Sequence, residues 1–129
     1  SDRRDMLAAA LSSITSATTL DDEADARGRF RWVIEHAVDA VEGGIGFGGF
    51  AALLTDDDPE FTEVFRRILA EQRATLESVM TQTWPGVDAA TVIDALVGAY
   101  AAERARTGAV GDGWQDRLFA VFWPAVSSV

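Results

Sequence analysis

Apolar side chains recur at steps of three and four residues along almost the whole chain, and this spacing constrains the fold more than any other feature. The stretch from Phe30 to Val41 shows it, and so does the stretch from Phe61 to Met80. Such a repeat places apolar residues along one side of an α-helix. The strict alternation and Asn-Gly or Asp-Gly turns that indicate β-hairpins are nearly absent. We therefore predict an all-α fold.

The predicted helices are separated by residues that begin or end helices. About five to six helices are expected, over residues 3–17, 22–41, 45–54, 59–84, 88–107 and 112–126. Gly43 and Gly44 are expected to end the second of these and Gly108 the fifth, because glycine readily adopts the left-handed conformation that closes a helix. Asp58 and Pro59 form the clearest boundary, since aspartate caps helices and proline suits the first helical position.

Four glycines interleave with aromatic residues just after the second predicted helix. They are Gly43, Gly44, Gly46 and Gly48. Glycine costs about 1 kcal/mol per helical position relative to alanine, so the helix over 45–54 is expected to be loosely wound at its start. The glycines leave space beside Phe47 and Phe50, which is compatible either with a portal to a cavity or with close helix packing.

The charge balance excludes several classes of partner. The 129-residue chain has a formal net charge of −10 and contains no lysine. Phosphate backbones and acidic membranes are bound by clustered basic residues, so this chain is expected to bind neither. No apolar run approaches the roughly 20 residues of a membrane span. With no cysteine and no long linker, we predict a single cytoplasmic domain over residues 1–129.

Catalytic and metal chemistry have little support in the sequence. Without cysteine there are no disulfides, thiolate ligands or cysteine nucleophiles. His36 is the only histidine, with Glu35 and Asp39 nearby, and a metal site needs more ligands than this. We expect no enzyme activity, no metal and no cofactor. His36 is expected either to pair with Asp39 on the helix surface or to lie at the rim of a pocket.

The last predicted helix carries more apolar side chains than one packed face requires. They are Trp114, Leu118, Phe119, Val121, Phe122, Trp123 and Val126. A helix buried on one side needs an apolar stripe only somewhat wider than a quarter-turn. Two interpretations follow: a central helix that is buried all round, or a helix that meets the core on one face and a second copy of the chain on another. The extra width favours the second.

The order of short motifs in the second half resembles the C-terminal regulatory domain of the TetR family. Asp58-Pro59-Glu60 precedes the long helix, 96–100 reads Leu-Val-Gly-Ala-Tyr, and Thr107-Gly108 closes that helix. Each motif is degenerate, and their order and spacing carry the resemblance. The family's basic N-terminal helix-turn-helix has no counterpart here, so the resemblance implies contact with DNA only through an N-terminal domain absent from this sequence.

The resemblance implies two sets of functional residues in a transcriptional repressor. In that family the last two helices form a four-helix bundle across a two-fold axis, which here implies a homodimer through Val97, Tyr100, Ala101, Arg104, Trp114, Phe119, Phe122, Trp123 and Val126. The family also holds a small effector inside the domain. Candidate lining residues are Trp32, His36, Phe47, Phe50, Phe65, Leu69, Gln72, Leu76, Met80, Trp84 and Tyr100. The alternative is an all-α interaction module with a filled core and no small-molecule ligand.

Overall fold

In the computed structural model, which describes residues 25–56 and 58–128, every regular element is a helix. The α-helices are α1 (Ala26–Asp39), α2 (Gly46–Thr55), α3 (Pro59–Thr83), α4 (Ala89–Thr107) and α5 (Trp114–Ser127), and a π-helix (Ala40–Ile45) lies between α1 and α2. The all-α prediction is confirmed for this part of the chain. The helix expected over 3–17 lies outside the described residues.

The junction between α1 and α2 differs from the prediction. We expected an α-helix that reaches Val41 and is ended by Gly43 and Gly44. Instead α1 ends at Asp39, and the chain continues as a π-helix, whose hydrogen bonds span one residue more than those of an α-helix. The glycine with the left-handed φ, +73°, is Gly46. The winding is therefore wider over residues 40–45, and the positive φ falls at Gly46, the first residue of α2.

The boundary at Asp58 and Pro59 is confirmed. Pro59 is the first residue of α3, and the Oδ1 atom of Asp58 accepts a hydrogen bond from the Phe61 N–H at 3.5 Å. Before it, α2 closes where Asp56 adopts a φ of +54° and donates its N–H to the Ala52 carbonyl at 2.8 Å. Aspartate tolerates this left-handed conformation better than most residues.

The ends of α4 also follow from local chemistry. Asp88 caps its start, with Oδ1 accepting the Thr91 N–H at 3.1 Å and Oδ2 accepting the Thr91 hydroxyl at 2.6 Å. These bonds hold the pKa of Asp88 below its ordinary value, first through the hydroxyl and then through the amide. Gly108 closes the helix with a φ of +81°, and its N–H donates to the Arg104 carbonyl at 2.9 Å. The predicted role of Gly108 is confirmed.

Pro124 lies inside α5. Proline has no N–H and therefore cannot donate the intrahelical bond that the Ala120 carbonyl would otherwise accept. Both residues are solvent-exposed, so water can reach that carbonyl. The proline thus sits on the side of α5 where an interrupted backbone ladder costs least.

The chain divides into two compact units. Among the described residues, the first unit is Asp39–Ala74 and the second is 25–38 with 75–128. The first unit holds a small apolar cluster of Val64, Phe65 and Ile68, against which Leu53 and Phe61 pack. The second unit holds the larger cluster, which draws on α1, the end of α3, α4 and α5: Phe30, Val33, Ile34, Ala37, Leu76, Met80, Trp84, Ala89, Ile93, Leu96, Phe119 and Val126.

Candidate functional site

Phe30 is the centre of the aromatic packing in the second unit. It is fully buried, and its ring meets Trp84 edge-on at a centroid distance of 6.0 Å. Phe119 and Trp123 of α5 approach the same ring at 5.8 and 6.1 Å. Aromatic pairs at these separations attract beyond the burial of their area. The inner side of α5 therefore packs against Phe30 of α1, and Phe30 in turn packs against Trp84, the residue that follows α3.

Four residues of the predicted ligand-binding set are buried in this unit. Leu76, Met80 and Trp84 belong to the cluster around Phe30. Tyr100 of α4 is also buried, and its ring meets Trp114 edge-on at 4.8 Å. The structure therefore brings three of the four into one apolar cluster and joins the fourth to the start of α5.

The first unit carries five further members of that set. Phe65 and Gln72 are buried, whereas Phe50 and Leu69 are partly exposed. The Phe47 side chain lies outside what the structure describes. Phe65 belongs to the small cluster of the first unit. The predicted ligand-binding set is thus distributed over both units.

Trp32 and His36 form a stacked pair on α1. Their ring centroids are 4.4 Å apart and the planes differ by 28°. The Nδ1 atom of His36 lies 2.8 Å from the Trp32 carbonyl oxygen, and because a carbonyl only accepts, Nδ1 carries the proton and donates. The indole Nε1–H of Trp32 is buried and has no acceptor among the described residues. Within the predicted ligand-binding set, this indole N–H is therefore a donor that is enclosed without an acceptor from the described residues.

The predicted dimer residues of α5 fall into an inner and an outer group. Phe119 and Val126 are buried, Val126 completely, and Trp123 stacks on Phe119 at 5.2 Å with planes only 12° apart. These three contact the chain's own core. The surface on which a second copy could dock therefore has to be sought on the other side of the helix.

We define the outer face of α5 as Trp114, Leu118, Val121 and Ala125. Val121 is 69% exposed and Ala125 is exposed, whereas Trp114 and Leu118 are partly buried and also pack against the core cluster. Their spacing is four, three and four residues, which aligns them along one side of a helix as in a heptad seam. Phe122 lies between this face and the core and packs against the core cluster.

Three of the four predicted dimer residues on α4 show the same kind of spacing. Val97, Ala101 and Arg104 follow one another at steps of four and three residues. Val97 and Ala101 are partly buried and Arg104 is exposed. A guanidinium N–H of Arg104 donates to the Gly108 carbonyl, so the side chain folds over the end of its own helix.

Two arginines on α1 hold α5, a contact that the sequence analysis did not predict. The Arg31 guanidinium lies 4.3 Å from the centroid of Phe119, and its Nη1 pairs with Asp116 Oδ1 at 2.7 Å. Arg27 lies 5.5 Å from the centroid of Trp123. Cations over aromatic faces are attracted by the ring quadrupole. The only local signal was the spacing of two arginines one turn apart in an acidic chain.

In the sequence, the charged residues Glu103, Arg104 and Arg106 near the end of α4 are typical of a solvated face. In the structure, Glu103 instead connects α4 to the loop before α5. Its carboxylate accepts the Gly111 N–H at 2.8 Å and two bonds from Arg117 at 2.6 and 2.8 Å. The Gly111 amide first, and then Arg117, hold the pKa of Glu103 below its ordinary value. The carboxylate thus fixes the turn that aims α5.

An open groove of about 150 Å³ is lined by Arg31, Ile34, Glu35 and Gln115. No residue of the predicted ligand-binding set lines it. Three of the four lining residues are charged or polar, whereas most small-molecule pockets are lined mainly by apolar residues.

Within residues 25–56 and 58–128, no three His, Asp or Glu side chains converge so that they could hold a metal ion. In the same residues, no single helix has the length and apolar character to cross a bilayer, and only residues 26–43 and 48–55 taken together reach that criterion.

No protein-family model, curated protein or solved structure matches this chain. Function is therefore inferred from the chain's own residues and from their geometry.

Proposed function

We propose that this chain is the regulatory domain of a TetR-family transcriptional repressor, which homodimerises through its last two helices and binds a small apolar effector. It acts by binding and carries out no catalysis. DNA is contacted by an N-terminal domain outside this sequence, in the cytoplasm. The motif order from Asp58 to Gly108 supports the family, and the geometry of α5 supports the dimer.

The single observation that carries the proposal is the division of α5 into two apolar sides. Phe119 and Val126 are buried in the chain's own core, and yet Val121 on the other side is 69% exposed. At about 100° per residue, the apolar side chains of α5 cover roughly half of its circumference. One core contact uses only the inner part of that arc. The remaining part suits a second helix.

The spacing of the outer face indicates what kind of partner would cover it. Steps of four, three and four residues from Trp114 to Ala125 match the seam along which two helices pack. The face itself contains no charged side chain, so an identical face can meet it without opposing like charges. In a two-fold dimer the same patch is used by both copies. The chain's net charge of −10 makes such a neutral patch the most suitable place for two copies to meet.

The effector part of the proposal is supported by the apolar and aromatic character of the predicted set. Small-molecule sites are typically lined by apolar and aromatic side chains with a few polar groups. A ligand would act by shifting the population between two arrangements of the dimer, which differ in the spacing of their DNA-reading domains. The shift can be no larger than the difference in the ligand's affinity for the two arrangements allows.

The alternative, a dimerisation module without an effector, is favoured by one observation. The ring of Trp84 is met by Phe30 and by Trp123, each at 6.0 Å. That part of the predicted set is filled by the chain's own aromatic side chains. Under this alternative the dimer remains, and no small apolar molecule binds the chain.

The dimer is tested by placing a carboxylate on the outer face. Val121→Glu should weaken self-association by at least about tenfold, because 1.4 kcal/mol is a factor of ten and an unpaired buried carboxylate costs more than that. Leu54→Glu is a matched control, since Leu54 of α2 is 74% exposed. Size-exclusion chromatography with light scattering should show a dimer for the wild type and Leu54→Glu and a monomer for Val121→Glu.

Two results would contradict the dimer: a monomeric wild type at micromolar concentration, or an unchanged mass for Val121→Glu. Circular dichroism should show that each variant keeps its helix content. Phe122→Glu is less suitable, because Phe122 packs against the core cluster and its replacement would also lower the stability of the fold.

A further inference from the structure

The indole N–H of Trp32 is a buried donor that the described part of the chain leaves without an acceptor. Buried polar groups in native proteins almost always have a partner. Leaving one unpaired costs about 1–3 kcal/mol. An indole nitrogen donates and does not accept, so whatever satisfies it has to bring an acceptor atom.

The stack with His36 holds this donor in place. The His36 ring lies on the indole at 4.4 Å, and the His36 Nδ1–H donates to the Trp32 carbonyl at 2.8 Å. The two side chains are therefore joined by a ring contact and a hydrogen bond within one helical turn. Swinging the indole N–H to another position would require breaking the stack. Trp32 also packs against the core cluster of the second unit, so its apolar edge already has partners.

We infer that the effector is a neutral, largely apolar molecule with a carbonyl or similar acceptor oxygen, and that this oxygen accepts a hydrogen bond from the Trp32 Nε1–H. This inference rests on the proposed function, because it assumes that an effector binds. It narrows the class of ligand from apolar molecules in general to those with an acceptor oxygen. A pure hydrocarbon would leave the donor unsatisfied.

The first experiment measures the cost of removing the donor when no ligand is present. Trp32→Phe keeps an aromatic ring for the stack but removes the N–H. If the donor has no partner in the free protein, Trp32→Phe removes only the packing of the larger indole ring, and the unfolding equilibrium constant should rise by no more than about tenfold. A larger rise would mean that the N–H is already bonded within the chain, and it would overturn the inference without affecting the proposed function.

The second experiment compares two probes of nearly the same shape. Acetophenone carries a carbonyl where α-methylstyrene carries a methylene group. Titration of the ¹⁵N-labelled protein followed by NMR reports on each indole N–H, and the Trp32 signal is the one that disappears in Trp32→Phe. Acetophenone should bind the wild type about fivefold more tightly than α-methylstyrene, as expected for one neutral hydrogen bond, and should shift the Trp32 signal. In Trp32→Phe the two affinities should be equal.

Each other outcome contradicts a definite part of the account. Equal affinities of the two probes for the wild type would overturn the inference and leave effector binding intact. The same ketone preference in Trp32→Phe would place the acceptor contact elsewhere and would also overturn it. A bound water that shows a nuclear Overhauser effect to the Trp32 N–H and persists in the presence of acetophenone would mean that water satisfies the donor. Failure of both probes to bind at millimolar concentration would count against effector binding itself.

Discussion

The guanidinium of Arg31 lies 4.3 Å from the ring centroid of Phe119. A cation on α1 thus covers an aromatic side chain of α5, and the same guanidinium pairs with Asp116 at 2.7 Å. Because Asp116 and Phe119 are three residues apart on α5, Arg31 holds that helix through a charge and a ring at once. The contact directs Phe119 toward α1, away from the outer face that we propose for dimerisation.

Removing this contact should lower stability measurably. Arg31→Ala is expected to decrease the free energy of unfolding by about 1 kcal/mol, since an exposed cation–π contact contributes about 0.5–1 kcal/mol and an exposed ion pair 0–1 kcal/mol. Arg67→Ala is the matched control, because Arg67 pairs with Glu63 at 2.9 Å on one exposed helix face and should contribute about 0.3–0.5 kcal/mol. Urea unfolding followed by circular dichroism measures both. Equal losses would show that the Phe119 ring adds nothing.

The carboxylate of Glu103 should make stability depend on pH. Its pKa in the folded chain lies below the ordinary value of 4.5, so the folded state binds the proton less readily than the unfolded state. The stabilisation is fully present above pH 4.5 and is lost as the pH falls through the folded pKa. Glu103→Gln should therefore be less stable than the wild type at neutral pH.

That difference should shrink as the medium is acidified. Denaturant unfolding between pH 7 and pH 3 measures this difference in the free energy of unfolding. When Arg117→Gln is also present, the difference should be smaller, because the carboxylate has lost one of its partners. A difference between Glu103→Gln and the wild type that stays constant across this range would mean that the carboxylate's charge is not what the folded state uses.

Gly98 inside α4 and Gly108, which follows its last residue, should respond oppositely to replacement by alanine. Gly108 has a φ of +81°, whereas Gly98 lies within the helix, and an added Cβ at either position meets nothing within 4 Å. Gly108→Ala should cost about 1–2 kcal/mol because alanine avoids the left-handed conformation. Gly98→Ala should add about 0.5–1 kcal/mol of helix stability. Thermal unfolding reports both signs, and changes of the same sign would contradict the assigned backbone conformations.

The helix boundaries could largely be predicted because they depend on neighbouring residues. Asp58 with Pro59, Asp88 with Thr91, and Gly108 each act within one helical turn. The exception is the junction after Asp39. Glycine is compatible with both a helix end and a widened helix, and the choice at residues 40–45 depends on more than the glycine pattern.

Contacts between distant residues could not be predicted. Arg31 and Asp116 are 85 residues apart, and Glu103 and Arg117 are 14 apart. Nothing in the local pattern distinguishes such a charge from a solvated one, because the pairing is set by how the helices pack. The sequence therefore suggested a solvated face at Glu103, where the structure has a carboxylate that fixes a turn.

Which side of α5 each apolar residue occupies could not be predicted. The aromatic excess indicated that two sides of the helix are apolar, but only the packing separates Phe119 and Val126, which are buried, from Val121, which is 69% exposed. The unsatisfied donor of Trp32 had no signal in the sequence at all, because tryptophan at that position fits a core equally well.

The central claim, that this chain associates with a second copy, is tested most directly by sedimentation equilibrium of the unmodified chain at micromolar concentration. One chain has a mass of 13.9 kDa. The account predicts a buoyant molar mass that corresponds to two chains and falls toward one only on dilution. A mass of one chain at every concentration would contradict it.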